Sequence, residues 1–514
     1  MYTVNAVCAI HTQGASLTFN SCRITVKHDV YLMRRKSDNL ISNTTKKGYF
    51  MPQVGNAGQP LRVAIIGSGP AGFYTVSNFL KHKELHVEMD MFERLPTPFG
   101  LVRSGVAPDH QKYKTVTRAF DKSAQNTNFR FYGNVTYGEH LTLDDLKQRY
   151  HQIIVCSGAS SDRSLDVPGE DLTGSYSATD FVAWYNGHPD YVDYEFDLNQ
   201  ESAAIVGLGN VAVDVARILC KTDDELKDSD IADHAMEALR GSKVKKVYIL
   251  GRRGPAQAAY TPPEIKEVGE LEDTDVIVLR DEAELDDASR DEMETKGDRN
   301  TQKNVAVIQA FPDRQLQGKT KQLTIRFLVS PTDIVGEDGQ VTAIKIVKNE
   351  AYRSDDGSVR ARATEQEEII PVGLVFRSVG YRGLPVPEIP FNENWGTIYN
   401  DHGRVTNESG EVQTGLYTAG WIKRGPTGVI GTNKTDAQET VNAMVEDLKA
   451  GKILDPAFSD REAAAVMIEE KQPDVISWED WVKIDQAEVE KGQKTNRPRV
   501  KFTRVSDMLD MLGR

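Results

Sequence analysis

Two glycine-rich strings in this chain of 514 residues have the composition and spacing to cradle phosphate groups. Gly67-Ser68-Gly69-Pro70-Ala71-Gly72 directly follows the apolar run at 63–66. In such a string the first glycine permits a tight turn and the second lets backbone approach a pyrophosphate. The third lets the next helix pack on the strand with its positive end toward the anion. Glu93 ends the following apolar run, about twenty residues past Gly72, where a dinucleotide fold places the carboxylate that meets ribose hydroxyls. The grammar repeats at Gly207-Leu208-Gly209-Asn210-Val211-Ala212, with alanine in the third place. Here the next strand-like run, 247–250, ends in Gly251-Arg252-Arg253, after a spacing lengthened by residues 223–241. Two guanidiniums in that position would pair with a 2'-phosphate, and no carboxylate is there to repel it. The first string is therefore expected to bind FAD and the second NADP(H). The plainer alternatives are a glycine turn in an unrelated strand-helix unit and two surface arginines ending a strand.

Strings of this kind work only when strands and helices hold them. Further strand-like runs lie at 87–92, 153–155, 276–279, 324–328 and 373–379, alternating with helical segments, which predicts parallel sheets of the doubly wound type. The fold class expected is α/β with two Rossmann-like dinucleotide-binding domains. Residues 264–298 hold about fifteen carboxylates against four bases and read as a solvated helix and loop. Residues 477–514 are amphipathic around Trp478, Trp481 and 508–512, and are expected to dock on the body.

Composition narrows the function classes. A length of 514 residues predicts two to four domains. With 62 Lys and Arg against 76 Asp and Glu, the net charge of -14 disfavours nucleic acid and anionic lipid at long range. No apolar run is long enough for membrane insertion. The four cysteines, Cys8, Cys22, Cys156 and Cys220, form no C-x-x-C pair and no metal-type spacing, so neither a redox disulfide nor an iron-sulfur ligand set is expected. Cys156 and Cys220 sit in apolar surroundings and read as buried thiols. Residues 1–60 are poor in acid, carry a basic cluster at Arg34-Arg35-Lys36 and lack periodicity, and read as a disordered extension. Met51 offers an alternative start. No Lys or Arg precedes Arg23, so a mitochondrial presequence is only partly matched and a cytoplasmic location is expected, with the mitochondrial matrix as the alternative.

The string from Pro96 to His110, PTPFGLVRSGVAPDH, resembles the flavin-domain signature of adrenodoxin reductase-type ferredoxin-NADP(+) reductases. A second string, Gly420-Trp421-Ile422-Lys423-Arg424-Gly425-Pro426-Thr427-Gly428-Val429-Ile430-Gly431, is similar to the same family, as are residues 207–217 and 251–254. The likeness runs from about residue 60 to the C-terminus. It implies an enzyme that passes a hydride from NADPH to FAD and then single electrons to a [2Fe-2S] ferredoxin. An NADPH diaphorase serving a quinone or another small acceptor is the alternative. The FAD domain would be discontinuous, at 61–164 and 376–514, with an NADP domain at 165–375 inserted, and a monomer is favoured.

By the same resemblance, Gly67, Gly69, Ala71, Gly72, Glu93, Leu101 and Val135 would contact FAD. Trp421, Gly428, Val429 and Ile430 would close over its isoalloxazine end. Leu208, Gly209, Asn210, Val211, Arg252 and Arg253 would hold NADP, with Glu264 near the nicotinamide. His110 and Asp214 resemble the family's proton-handling pair, since reducing a flavin adds negative charge that an imidazole can relieve. His110 could equally cap the helix that follows it, and Asp214 could be a first-turn carboxylate. The acidic stretch at 264–298 departs from a basic docking face, leaving Lys243, Lys245, Lys246, Lys423 and Arg424 as dispersed candidates.

Overall fold

All six residues of Leu61–Ile66 are buried because this strand lies inside a parallel sheet covered on both faces, where no position needs to face water. The computed structural model describes residues 54–458 and 460–514; the readings for residues 1–53, including Cys8, Cys22 and Met51, lie outside that range. The first sheet has seven strands in the order Asn400–Asp401, Arg404–Thr406, Val412–Thr418, Gln152–Val155, Leu61–Ile66, Val87–Phe92, Phe129–Tyr132. Its last five strands pair in parallel, and the residues after 400 return to complete it. The second sheet, in the order Ser175–Ser177, Leu374–Arg377, Ser202–Val206, Lys246–Leu250, Lys321–Arg326, Thr274–Val278, is parallel throughout. These are the two doubly wound units expected from the alternating runs.

Three details differ from the sequence reading. The runs at 276–279 and 324–328 begin earlier and end before Leu279 and Leu328: Leu279 precedes a helix, and Leu328 takes a positive φ of 53°. The acidic stretch is not simply solvated. It contains the edge strand Thr274–Val278 and buries Glu264 and Glu282, the latter accepting from Arg326 Nε at 2.9 Å and from Phe327 N at 2.8 Å. An antiparallel meander of Val329–Glu337, Gln340–Arg353 and Val359–Pro371, which charged residues disguise in the sequence, stands beside the second sheet.

The C-terminal helix Trp478–Gln493 docks as expected. Trp478 packs edge-on against Phe73, Phe99, Phe129 and Phe131, and Trp481 is buried against Phe99. Glu488, fully buried, accepts from both Arg103 and Arg499, which offsets the cost of placing its charge out of water. Cys156 and Cys220 are free and buried, and burial pushes both thiols up to about 12.

Candidate active site

Each glycine string turns from a strand into a helix in the same way. Gly67 and Gly207 have φ of 102° and 143°, and a Cβ there would lie 2.6 Å from the Cys156 carbonyl oxygen and 2.2 Å from that of Ser378. Gly69 and Gly209, by contrast, face open space. They cap Pro70–Phe79 and Asn210–Cys220 without any side-chain hydrogen bond, and neither helix has an acidic residue in its first turn. The first-turn N–H groups are thus left for an anion. Gly72 does not line the cleft; a Cβ there would lie 2.3 Å from the Gly67 carbonyl oxygen, so its role is packing beneath the turn. Glu93 stands at the end of its strand and accepts from Ser68 N at 3.1 Å and Ser68 Oγ at 2.6 Å, which ties the carboxylate to the turn.

One cleft of about 2560 Å³ joins the two turns. Gly67, Gly69, Ala71, Glu93, Leu101 and Val135 line it, as do Leu208, Gly209, Asn210, Val211, Arg252, Arg253 and Glu264. Trp421, Gly428, Val429, Ile430, His110 and Asp214 line the same cleft, so of the expected site residues only Gly72 stands apart. Trp421 begins the short helix Trp421–Arg424, donates from Nε1 to the Thr427 carbonyl at 3.2 Å and lies 5.3 Å from the ring of Tyr381. Arg252 and Arg253 are exposed, and among the described residues neither guanidinium has an ion pair or hydrogen bond. Lys423, a docking candidate in the sequence, is buried and paired with Glu439 at 2.6 Å and Asp436 at 3.2 Å, so it is no part of a basic surface.

His110, Asp214 and Glu264, all buried, converge. His110 Nδ1 lies 3.7 Å from Asp214 Oδ1, and its Nε2 lies 3.5 Å from Glu264 Oε2 and 2.8 Å from Glu267 Oε2. His110 occupies the cap position of Gln111–Lys114, but its side chain makes no cap bond and points into this cluster. Asp214 is past the first turn of its helix and is fixed by Arg217 Nη1 at 3.0 Å. Arg217 also pairs with Asp109 and, at 3.2 Å, with Glu267.

Burial raises the Asp214 carboxyl to about 6, and burial with the Asp214 charge raises Glu264 to about 7. For His110, burial works against the charged ring, but the Glu267 hydrogen bond and the Asp214 charge outweigh it, and the imidazole titrates above its usual value. Glu264 Oε2 has no hydrogen-bond partner. Asp109 and Arg217 lie inside the strings at 96–110 and 207–217, whereas Glu267 lies in the acidic stretch at 264–298, where composition alone gives no sign of an inward-facing carboxylate.

The chain matches the family model described as pyridine nucleotide-disulphide oxidoreductase over residues 61–297. It is 43% identical over 452 residues to NADPH-ferredoxin reductase FprA of Mycobacterium leprae, covering 87% of this chain and 97% of that protein. It is 38% identical over 462 residues to the mitochondrial NADPH:adrenodoxin oxidoreductase of Arabidopsis thaliana, covering 88% and 95%. The solved structure of Mycobacterium tuberculosis FprA in complex with NADPH superposes with a TM-score of 0.84 at 41% identity, covering 88% of this chain and 99% of that one. The two-unit α/β fold, the cleft shared by both glycine turns and this extent of identity lead to one conclusion: the chain belongs to the family of adrenodoxin reductase-type NADPH-ferredoxin reductases.

Proposed function

We propose that this protein takes electrons from NADPH into bound FAD and delivers them singly to an iron-sulfur ferredoxin of the [2Fe-2S] kind. The observation that carries the reading is the single cleft in which two helix N-termini without side-chain cap bonds, Arg252 and Arg253 with no ion pair among the described residues, and the His110 cluster meet. FAD, when bound, converts the two electrons of NADPH into single electrons.

The residues present fit both groups. Gly69 and Gly209 leave open space where a pyrophosphate would sit, and Glu93 stands where ribose hydroxyls would reach it. Ala71, Leu101 and Val135 would bound the flavin site, with Trp421 and residues 428–430 as its cover. Leu208, Asn210 and Val211 would hold the nicotinamide nucleotide, and Arg252 and Arg253 would pair with its 2'-phosphate. Asn210 is itself fixed, since its Oδ1 accepts from Thr261 N at 2.7 Å.

His110 and Asp214 are assigned the proton-handling role. Arg217 orients Asp214, Asp214 faces His110 Nδ1, and the Glu267 hydrogen bond and the Asp214 charge favour the protonated imidazole, whose charge can offset negative charge gained in the cleft. Positioning within the cleft supplies the rest of the rate.

The flavin domain is assigned to 61–164 and to the segment after the inserted NADP domain. Because Leu374–Arg377 pairs within the second sheet, the return is best set just after Arg377 rather than at 376. A monomer and a cytoplasmic location complete the reading; the free, buried Cys156 and Cys220 fit a reducing compartment. No described helix is long and apolar enough to cross a membrane.

Anaerobic titration of the purified protein with NADPH, followed by oxidised [2Fe-2S] ferredoxin, tests the proposal by absorbance. Flavin bleaching and then ferredoxin reduction are expected. Bleaching without transfer would assign the electrons to a small-molecule acceptor, and a protein without flavin would overturn the reading.

A further inference from the structure

The turn that presents Arg252 and Arg253 is held by its own sheet through Gly251 N, which donates to the Arg326 carbonyl at 2.9 Å, and by residues beyond that sheet. The carbonyl oxygens of Gly251, Arg252 and Arg253 accept, in turn, from Val329 N at 2.9 Å, Asn349 Nδ2 at 2.9 Å and Leu328 N at 3.2 Å. Two of these donors are main chain; the third is a side chain from the middle strand of the antiparallel meander. Asn349 is 4% exposed. Its Nδ2 also donates to Ser330 Oγ at 2.8 Å, and its own N–H donates to the Leu328 carbonyl at 2.6 Å. Leu328 has a positive φ, and the pairing of Gln340–Arg353 with Val359–Pro371 shifts register between Val347 and Asn349. Ser330 lines the cleft together with Arg252, Arg253 and Lys303.

Buried polar side chains in irregular backbone are retained where their hydrogen bonds fix something. What Asn349 fixes is the direction of two adjacent guanidiniums that repel each other and, among the described residues, have no hydrogen bond or ion pair. We propose that Asn349 is the positioning residue for 2'-phosphate recognition, the side chain through which the meander orients Arg252 and Arg253 toward NADPH. This rests on the reading that those arginines take the 2'-phosphate.

The test uses the flavin-loaded enzyme, with ferricyanide as acceptor, and compares KM for NADPH with KM for NADH in the parent and in Asn349→Ala. The dissociation constant of 2',5'-ADP is measured by calorimetry. In the variant KM for NADPH and the 2',5'-ADP constant are expected to rise about tenfold and KM for NADH less than twofold. A merely structural role would raise both KM values together, and that result, or an unchanged ratio, overturns the proposal. Asn349→Leu keeps the approximate volume while removing the donor without adding charge, and gives the same reading if Asn349→Ala fails to retain flavin. A parent enzyme that accepts NADH and NADPH equally would instead overturn the underlying assignment of the arginines, and this proposal with it.

Discussion

Glu267 accepts a hydrogen bond from His110 at 2.8 Å across 157 residues of sequence, and so ties the signature segment of the first unit to a helix of the second. The bond keeps His110 charged above its ordinary 6.5 despite burial, and in return it holds the Glu267 carboxyl below 4.5. A raised histidine contributes stability that is complete below pH 6.5 and is lost as pH rises through its folded value. A lowered glutamate contributes stability that is present above pH 4.5 and lost as pH falls through its folded value. Glu267→Gln is therefore expected to move the His110 titration downward in proton NMR. Because Glu267 is 38% exposed, the cost to stability should stay under about 1 kcal/mol. An unmoved His110 midpoint would contradict the assignment.

Glu264 behaves in the opposite sense to Glu267. Burial and the Asp214 charge raise it from 4.5 to about 7, so stability should fall as pH climbs through that window. Glu264→Gln replaces the carboxyl by a neutral amide and should stabilise the protein relative to the parent at pH 8 by on the order of 1 kcal/mol, read as a higher melting temperature. At pH 4.5 it should have little effect. Thermal unfolding at the two pH values checks this, and an equal difference at both would refute it.

Arg252→Ala combined with Arg253→Ala should weaken NADPH by about 100-fold or more in kcat/KM and leave NADH within about threefold, because each charge-assisted phosphate contact is worth roughly 1.5–3 kcal/mol. Steady-state kinetics with both nucleotides measures it. Equal losses would remove the 2'-phosphate from the site.

Gly67→Ala places a Cβ 2.6 Å from the Cys156 carbonyl oxygen at a φ of 102°. Backbone cannot yield there as a flexible side chain would, so the turn that faces the pyrophosphate must shift. The purified variant is expected to carry less than about a tenth of the parent's flavin per chain, which corresponds to a loss of about 1.4 kcal/mol or more in binding. Gly69→Ala, whose Cβ meets no protein atom, should fold normally and lose flavin affinity alone. Flavin absorbance against protein absorbance separates the two.

What the sequence made legible was local. Apolar run, glycine turn and helix lie within a dozen residues of one another, and the arginine pair sits at the end of a run whose alternation is plain. The partners of His110 were not legible in that way. Glu267 lay within a stretch read as solvated because its composition is acidic, and no periodicity marks the residues whose carboxylates turn inward. The meander was missed because its strands face solvent on much of their surface: Val359–Pro371 is charged or polar at most positions and resembles a loop. Asn349 shared that obscurity, since a polar residue in such a strand announces neither burial nor the carbonyl it serves.

The return of residues after 400 to the first sheet sets an order of assembly. During synthesis the second unit has all six of its strands once Arg377 has emerged. The first sheet must wait for Val412–Thr418 to pair beside Gln152–Val155, and for Trp481 and Met508 to close its core. Units fold as they are completed, and distant pairings form slowly. A ribosome-bound chain therefore completes its second sheet well before its first, and the cleft between the two glycine turns is finished only in the last steps of the protein's maturation.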